Sequence, residues 1–403
     1  PRSSHPAMSA LPAAATRSTP HQRRLARRAA AKAQRVSEDK TAPVSAPRQR
    51  ERHLPDAAGQ QTVLKHNTWD DVEWEESDRL AAERLIAAQT PAPAAVATEC
   101  TAKATECWDV HYAANPRNYK DRRYLHNEFP QLLEPRRGGG ELLVLEIGCG
   151  AGNSLLPLLH ANPSARGFAC DLAPSSVELV RERLFREGLA HRASAFVWDV
   201  TRPPPPGALP AEGFDVILAV FTLSALSPEA LPAALAQLHA GLRPGGTLLL
   251  RDYGRLDLKH LKFAAVPGSR LPSPVAGWDW HTRGDGTTAL FFTPELLAPL
   301  VHGAGLHAES MRYDRRLAVN RATQERMYRV WLVAVLRKPA EADTPPPRPG
   351  HDASHLQPVS QPARAWRPWL RVAVAAVVAA ALVRRLQAAS PGLARLLKRA
   401  RGS

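Results

Sequence analysis

The sequence predicts an α/β protein with a doubly wound, seven-stranded, mostly parallel sheet and disordered, basic extensions at both ends. Three observations predict it: an apolar run that stops at a glycine-rich turn, further apolar runs that alternate with helical segments, and flanks rich in Pro, Ala and Arg. Because parallel strands need crossover connections, the alternation indicates a sheet with helices on both faces. Ligand sites in such sheets lie at the carboxyl ends of the strands.

The first element, LLVLEIGCGAGN at residues 142–153, indicates a strand followed by a cofactor-binding turn. Glycines at every second position let the backbone bend sharply and approach a ligand closely, and the next helix offers its free N–H groups. A dinucleotide-binding turn reads GxGxxG, whereas this chain has GxGxG with Glu146 two residues before the first glycine. This spacing favours S-adenosylmethionine over a nicotinamide cofactor.

The second strand, at residues 165–170, ends at Asp171, which lies 19 residues after Gly152. A carboxylate there can accept both ribose hydroxyls of a nucleoside cofactor, although a nicotinamide enzyme would carry a similar acid. Asp171 could instead cap the helix that starts at Pro174. The later elements therefore decide between the cofactors.

These later elements favour a methyltransferase. The apolar run FDVILAV predicts a strand buried on both faces, and RPGGTLLL predicts a turn that leads into the next strand. A closing antiparallel pair is typical of class I methyltransferases, which this region resembles. The elements are a strand at 194–198 ending in Asp199, a strand at 214–220, a helix at 228–242, a strand at 242–250, a helix at 293–305, and closing strands at 308–312 and 328–336.

The charge pattern predicts one core with long extensions. Residues 1–60 carry a net charge of +8 and residues 384–403 carry +6, so only +1 of the total of +15 remains for the rest of the chain. Basic, poorly structured arms attract a polyanion such as RNA, although such tails are also found solvated without a partner. The predicted segments are a basic extension at 1–60, a helical region at 61–137, the core at 138–338, a Pro-rich linker at 339–365 and an apolar, basic helical tail at 366–403.

The two ends also bear on location. No acid precedes Glu38, and the stretch is rich in Arg, Ala and Ser, as in organelle transit peptides. The expected cytoplasmic location therefore has a mitochondrial or plastid alternative. Residues 372–383 are 12 consecutive apolar residues, which as a helix would span about 18 Å, short of the roughly 30 Å core of a membrane. Membrane contact by this tail is the less favoured interpretation.

The four cysteines narrow the chemistry. They show no CxxC spacing and no paired His motif, so neither a metal site nor a disulfide framework is predicted. Methylation of cytosine at C5 needs a thiolate, usually from a Pro-Cys or Thr-Cys dipeptide, which the chain lacks. The Asn/Asp-Pro-Pro-Tyr/Phe segment common in exocyclic adenine methylation is replaced by FTLS at residues 221–224. A ring nitrogen that attacks the methyl group directly is thus the expected acceptor.

Short segments on both sides of the core carry a closer resemblance. They are TWDDVEW at 68–74, WDVHY at 108–112, NYKDRRYL at 118–125, EFP at 128–130, RDYG at 251–254, DGT at 285–287, FFT at 291–293, NR at 320–321 and MYRVW at 327–331. Over residues 67–338 this set resembles the tRNA N3-methylcytidine methyltransferases, the methyltransferase-like two, six and eight group. The chain departs from that family at His111, which starts a segment that usually reads Phe-Tyr-Lys, and at Tyr124, where a Trp is usual.

The resemblance implies methyl transfer from S-adenosylmethionine to N3 of a cytidine in the tRNA anticodon loop. It also implies that residues 61–137 contribute to cofactor and tRNA binding, with Trp108 and Tyr112 closing over the cofactor. A Trp and a Tyr four apart on a helix could equally be a plain core contact. The other implied cofactor residues are Gly148 and Gly150 at the methionine moiety, Asp171 at the ribose, Asp199 and Val200 at the adenine, Val220 beneath the sulfonium, and Asn153.

On the RNA side, Asp252 and Tyr253 are the expected catalytic residues. Asp252 could bond the cytosine amine, and Tyr253 or Phe292 could stack on the base. Asp252 could instead be a structural cap, and Arg122 and Arg123 part of a solvated face. An accessory protein could help to select the tRNA. The alternative functions are a non-catalytic cofactor-binding subunit and a small-molecule methyltransferase. The expected RNA-binding residues are Lys120, Arg122, Arg123, Arg251, Asn320 and Arg321.

Overall fold

The computed structural model describes residues 53–54 and 65–340, except residues 117, 118, 137, 274 and 324. The predicted extension at 1–60, except residues 53 and 54, lies outside the described residues. So do the predicted linker beyond residue 340 and the predicted tail at 366–403, which includes the apolar run at 372–383. No helix in the described part of the chain is long and apolar enough to cross a membrane. The strands are β1 Thr68–Asp70, β2 Leu142–Ile147, β3 Ala165–Asp171, β4 Ala193–Val197, β5 Phe214–Val220, β6 Leu242–Tyr253, β7 Asp279–Thr282, β8 Thr288–Phe291, β9 His307–Asn320 and β10 Glu325–Arg337. The α-helices are α1 Glu76–Ala87, α2 Ala94–Ala102, α3 Ala104–Ala114, α4 Leu125–Glu128, α5 Leu155–Ala161, α6 Pro174–Arg186, α7 Leu231–Gly241, α8 Leu258–Ala264 and α9 Pro294–Gly303.

Eight strands form one sheet in the order β1-β9-β10-β6-β5-β2-β3-β4. The five strands from β6 to β4 in that order are parallel, whereas β10, β9 and β1 are added antiparallel. The chain winds outward in both directions from the β2–β5 boundary, where such sheets open a crevice at their carboxyl edge. The predicted doubly wound sheet is confirmed; β9 and β10 are longer than expected, and the short edge strand β1 is an addition.

The core consists of an apolar cluster on each face of the sheet. Strands β2 and β5 are buried along their whole length, as their continuous apolar sequences require. One cluster includes side chains of α7 and α9, and the other includes side chains of α4, α5 and α6. Each fully buried Leu or Val contributes about 1.5–3 kcal/mol to this packing. Packing on both faces thereby fixes the positions of the strands whose carboxyl ends form this edge.

The elements that precede β2 in sequence are attached to the core by specific contacts. Strand β1 pairs with β9, with Trp69 opposite Leu317. Helix α3 is tied to the start of α6, because the Asp109 carboxylate accepts a hydrogen bond from the Ser175 N–H at 2.8 Å. Strands β7 and β8 form a separate antiparallel hairpin after β6, which the sequence did not predict. This hairpin and the helices α2 and α3 lie around the carboxyl edge of the sheet.

Candidate active site

A cavity of about 210 Å³ opens at the carboxyl ends of β2, β3 and β5. Helices α2 and α3 line one side of it, and the segment after β5 and the β7–β8 hairpin line another. The hairpin contributes Trp280 and Thr288, neither of which the sequence marked as a site residue. Six of the predicted cofactor residues line the cavity: Trp108, Tyr112, Gly148, Asp171, Asp199 and Val200.

The glycine turn leaves no room for side chains. Gly148 and Gly150 have φ angles of 57° and 53°, in the left-handed region that favours glycine. A Cβ on Gly148 would lie 2.4 Å from the Thr222 Cγ2 atom, and one on Gly150 would lie 2.7 Å from the Tyr112 hydroxyl oxygen. The turn is thus a cradle that a Cβ would fill, and its bare backbone suits the polar methionine end of S-adenosylmethionine.

Asp171 fastens this turn to the next strand. Its Oδ2 accepts a hydrogen bond from the Gly150 N–H at 2.9 Å, and its Oδ1 accepts one from the Ala173 N–H at 3.0 Å. Burial raises the pKa of Asp171 even though these bonds favour the ionised form. The N-cap position of α6 is Ala173, so Asp171 is not the helix cap. Each carboxylate oxygen retains a lone pair that can accept from a ribose hydroxyl.

Glu146, the acid before the turn, points away from the cavity. It is 1% exposed, and its Oε2 accepts a hydrogen bond from the N–H of Leu155, the first residue of α5, at 2.9 Å. Burial raises the pKa of Glu146 to about 7. A carboxylate is favourable at a helix N-terminus. Glu146 therefore anchors α5 and shapes the turn from behind.

Trp108 and Tyr112 lie one turn apart on α3. Their ring centroids are 6.0 Å apart with an interplanar angle of 26°. Burial raises the pKa of Tyr112 well above its usual value, so its hydroxyl stays neutral. Both rings line the cavity, and the Tyr112 hydroxyl reaches the glycine turn at Gly150.

Asp199 and Val200 follow β4 at the far end of the cavity. The Asp199 Oδ1 accepts from the N–H and the hydroxyl of Thr201, at 3.0 Å and 2.7 Å. Its Oδ2 forms an exposed ion pair with Arg202 at 3.3 Å. Because Asp199 lines the cavity, its carboxylate can also accept from an exocyclic amine there.

Three predicted cofactor residues do not line the cavity: Gly150, whose Cβ position is next to the Tyr112 hydroxyl, Val220 and Asn153. Val220 is 3% exposed and packs in the apolar core at the end of β5. The Asn153 Oδ1 accepts from the Arg183 guanidinium at 3.2 Å, within the structure behind the turn. The residues that reach the cavity beside Val220 are Phe221 and Thr222.

Arg251 requires a correction, because it is buried and not available to RNA. It is 2% exposed, and its guanidinium binds the carboxylates of Glu128 and Asp314, the latter at 2.8 Å. It also lies over the Trp331 ring, 4.5 Å from the centroid. Two acids neutralise this charge, so Arg251 holds α4 and β9 to the end of β6.

Asp252 lies behind the cavity. It is fully buried, its Oδ2 accepts from the Ser224 N–H at 2.9 Å, and burial raises its pKa to about 6. Ser224 belongs to the short 3-10 helix Leu223–Ala225, next to the cavity-lining residues Phe221 and Thr222. Asp252 therefore positions the segment after β5, in agreement with the alternative prediction that it is a structural cap.

The two aromatic candidates for base stacking differ. Tyr253 lies 5.0 Å, centroid to centroid, from the Phe221 ring, and burial raises its pKa to about 12. Phe292 is 0% exposed and packs edge-on against Trp278 in the core, 5.8 Å away. Phe292 therefore cannot stack on a base, which corrects that alternative.

Phe221 is a site residue that the sequence did not reveal. Its φ of 57° is unusual for a bulky residue, and its N–H donates to the Arg251 carbonyl oxygen at 2.8 Å. This conformation turns the chain at the end of β5 and lets the ring line the cavity. The Arg122 guanidinium lies 5.6 Å over the ring and donates to the Ser154 hydroxyl at 2.9 Å. A left-handed Phe has no sequence signature.

The other expected RNA-binding residues are exposed. Lys120 and Arg123 lie close in sequence to Arg122, whose N–H donates to the Asn153 carbonyl oxygen just after the glycine turn at 2.7 Å. Asn320 and Arg321 lie at the turn between β9 and β10. That hairpin extends beyond the end of β6, since pairing of β10 with β6 stops at Trp331. Asn320 and Arg321 are therefore placed on the carboxyl side of the sheet, the side on which the cavity opens.

One buried group resembles a metal site. Ligand atoms of His260, Asp279 and His281 lie within 4.8 Å of one another. The Leu256 N–H donates to the His260 Nδ1 at 3.3 Å, so the neutral ring carries its proton on Nε2, where a metal would need a lone pair. The Asp279 Oδ2 accepts from the Arg255 guanidinium at 2.9 Å, and that cation also opposes a metal ion. We assign no metal to this group.

Comparison with known proteins places these features in a family. Residues 144–246 match the family described as "Methyltransferase domain". The tRNA N(3)-methylcytidine methyltransferase Mettl2 of Drosophila melanogaster is 36% identical over 311 residues, covering 72% of this chain and 91% of that protein. The tRNA N(3)-cytidine methyltransferase METTL2 of Xenopus tropicalis is 33% identical over 330 residues, covering 72% and 94%. The tRNA(Thr) (cytosine(32)-N(3))-methyltransferase of Saccharomyces cerevisiae is 36% identical over 287 residues, covering 69% and 44%.

Proposed function

Because the chain belongs to the tRNA N(3)-cytidine methyltransferase family, it methylates N3 of cytidine in tRNA with S-adenosylmethionine, and we propose that the target lies in the anticodon loop. Loop bases are accessible, since they can be splayed out and stacked on aromatic side chains. The name of the yeast relative specifies cytosine 32. The proposal extends a loop target of this kind to the present chain.

An aromatic group beside the cofactor cradle is the observation that carries the proposal. Phe221 lines the cavity, the Tyr253 ring lies 5.0 Å from it, and Thr222 touches the space above Gly148. Aromatic faces bind single-stranded bases with about 1–3 kcal/mol per stacked base. A flipped cytosine on Phe221 and Tyr253 would therefore lie next to the methyl donor.

The chemistry asks little of the protein beyond positioning. Bound S-adenosylmethionine supplies an electrophilic methyl group on a sulfonium sulfur. Cytosine N3 has an in-plane lone pair and needs no strong base, so the chain contributes by aligning the reactants and excluding water. The faces of Phe221 and Tyr253 can stabilise the positive charge that develops on the base. Asp252 acts through the segment after β5, which it holds by its bond to Ser224.

Substitution of Phe221 tests the stacking role. In Phe221→Ala we expect kcat/KM for tRNA to fall about 10- to 100-fold, as loss of one stacking face predicts. Phe185→Ala provides a matched control, because Phe185 is 82% exposed on α6, and it should leave kcat/KM unchanged. The target itself is tested with anticodon stem-loops in which each loop cytidine is replaced by uridine. Undiminished methylation of a tRNA without loop cytidines would refute the loop assignment.

We also propose that Lys120, Arg123 and Arg321 contact phosphates around the loop. Their exposure supports this, as do the place of Arg321 on the carboxyl side of the sheet and the nearness in sequence of Lys120 and Arg123 to Arg122, which lies over the Phe221 ring. Each Ala substitution should weaken tRNA binding and reduce the slope of log affinity against log salt by about 1. Arg166→Ala is the control, because Arg166 is exposed near the start of β3, at the opposite edge of the sheet. An equal effect of Arg166→Ala would contradict the assignment.

A further inference from the structure

Helices α2 and α3, residues 94–114, form a cover over the cavity. Their lining residues recur at helical spacing: Thr101, Ala104, Thr105, Trp108 and Tyr112. Helix α3 nevertheless has no fully buried residue. Apolar packing alone therefore holds it weakly, and specific contacts must decide how firmly the cover closes.

The cover is attached on two sides. On one side Asp109 binds the start of α6 through the Ser175 N–H, at 2.8 Å, and the Ser175 hydroxyl donates to the Asp109 carbonyl oxygen at 2.9 Å. On the other side it meets the loop of the β7–β8 hairpin. The Arg283 guanidinium carbon lies 5.5 Å from the Trp108 ring centroid, and Gly286 packs so closely on Cys107 that an added Cβ would lie 2.8 Å from its sulfur. The hairpin is thus both a wall of the cavity and a support for its cover.

We propose that a hydrogen bond between His111 of the cover and Asp285 of the hairpin is a clasp that positions Trp108 and Tyr112 for cofactor binding. This inference rests on the proposed function, since it concerns the same cofactor cavity. The His111 Nδ1 and the Asp285 Oδ2 are 3.1 Å apart. Because a carboxylate only accepts, the imidazole donates from Nδ1. The departure of this chain from the family pattern at His111 supplies the donor that a Phe would lack.

Both partners of the clasp are held in place. The Asp285 Oδ1 accepts from the N–H and hydroxyl of Thr287, which fixes the loop conformation. Burial tends to raise the pKa of Asp285, but hydrogen bonds from Thr287 and His111 outweigh it and lower the pKa, so the carboxylate is ionised at neutral pH. The His111 ring lies edge-on to Trp108 and to Tyr112, at 5.4 Å from each centroid. His111 therefore transmits the hairpin's position to both cover rings.

The clasp acts through the population of the closed cover. Cofactor and product bind the closed cover, so a contact that exists only in the closed cover strengthens their binding. The gain in affinity equals the factor by which that contact raises the ratio of closed to open cover. A single hydrogen bond of this kind is worth about a three- to tenfold change. His111→Phe keeps the ring packing and removes only the donor. His111→Gln replaces the ring but restores an N–H that can reach Asp285.

The test uses the full chain and S-adenosylhomocysteine as the probe. We expect His111→Phe to raise its Kd, and the KM for S-adenosylmethionine, about three- to tenfold, with the KM for tRNA unchanged. Amide exchange in residues 104–114 should accelerate, and His111→Gln should recover part of the affinity. His302→Phe, at an exposed position in the last turn of α9, should change nothing.

The outcomes separate the clasp from the function. If the wild type binds S-adenosylhomocysteine and His111→Phe binds it equally, with unchanged amide exchange, the clasp is overturned and the cofactor site stands. If the wild type does not bind it, the proposed function fails and the clasp with it. Should His111→Phe unfold, the Kd of His111→Gln for S-adenosylhomocysteine decides instead. Because Gln restores an N–H donor to Asp285, a Kd raised by the full amount, about three- to tenfold, would overturn the clasp.

Discussion

Asp171→Asn should weaken both the fold and cofactor binding. The carboxylate accepts one N–H on each oxygen, from Gly150 and Ala173, whereas an amide keeps one acceptor and turns an NH2 group towards the other N–H. Loss of a hydrogen bond to a charged group costs about 1.5–3 kcal/mol. Removal of a buried charge, whose cost raises the pKa of Asp171, offsets part of this. A net loss of about 1–2 kcal/mol would lower Tm by roughly 2–8 °C.

The affinity for S-adenosylhomocysteine should fall further, by about 10- to 100-fold, because the ribose loses an acceptor and the glycine turn shifts. Calorimetric unfolding and isothermal titration measure the two effects. Asp199→Asn is the matched control, because its hydrogen bonds with Thr201 both end on Oδ1, an oxygen that Asn retains, and its Oδ2 ion pair with Arg202 is exposed. It should lower affinity without lowering Tm. Wild-type affinity in Asp171→Asn would refute the account of the turn.

Three further substitutions test other parts of the structure. Burial raises the pKa of Glu146 from 4.5, its value in the unfolded chain, to about 7 in the folded protein. The stability that protonated Glu146 contributes is therefore complete below pH 4.5 and is lost as pH rises through 7. The stability of the wild type relative to Glu146→Gln in urea should therefore fall by about 1–3 kcal/mol from about pH 5 to about pH 8, and a pH-independent difference would contradict this. Arg251→Ala removes the cation that pairs with buried Glu128 and leaves Asp314 to Arg316 alone, so it should cost about 3–5 kcal/mol, against about 0.5 kcal/mol or less for exposed Arg312→Ala; equal losses would disprove the buried network. Gly150→Ala should abolish tight S-adenosylhomocysteine binding, because its Cβ meets the Tyr112 hydroxyl at 2.7 Å. Adding Tyr112→Phe should restore part of the affinity, and no recovery would argue against that contact.

The strands of the main sheet were predictable where burial is written in local sequence. Parallel strands covered on both faces read as continuous apolar runs, as in β2 and β5. Strand β1 has only three residues, and its partner β9 is far away in sequence. Strand β7 reads Asp-Trp-His-Thr, and its His281 is buried against His260 of α8 and Phe291 of β8. Tertiary contacts of this kind leave no local pattern.

The cofactor residues were predictable because strand ends and glycine spacing fix their positions. Gly148, Asp171 and Asp199 meet at one cavity because their strands are neighbours in the sheet. The charges at the end of β6 were not predictable in the same way. Sequence shows the cation of Arg251 but not its acids, which lie 123 and 63 residues away. It likewise could not show that Asp252 faces Ser224 and not the cavity.

The family comparison establishes the reaction class, and the position of the target base is the part most open to test. The most direct measurement is nucleoside mass spectrometry of tRNA and of isolated anticodon stem-loops, each incubated with the protein and S-adenosylmethionine. We expect 3-methylcytidine in the loop fragment with the wild type, and a strongly reduced yield with Phe221→Ala or Asp171→Asn. A methylated nucleoside other than 3-methylcytidine, or 3-methylcytidine only outside the loop, would contradict the account.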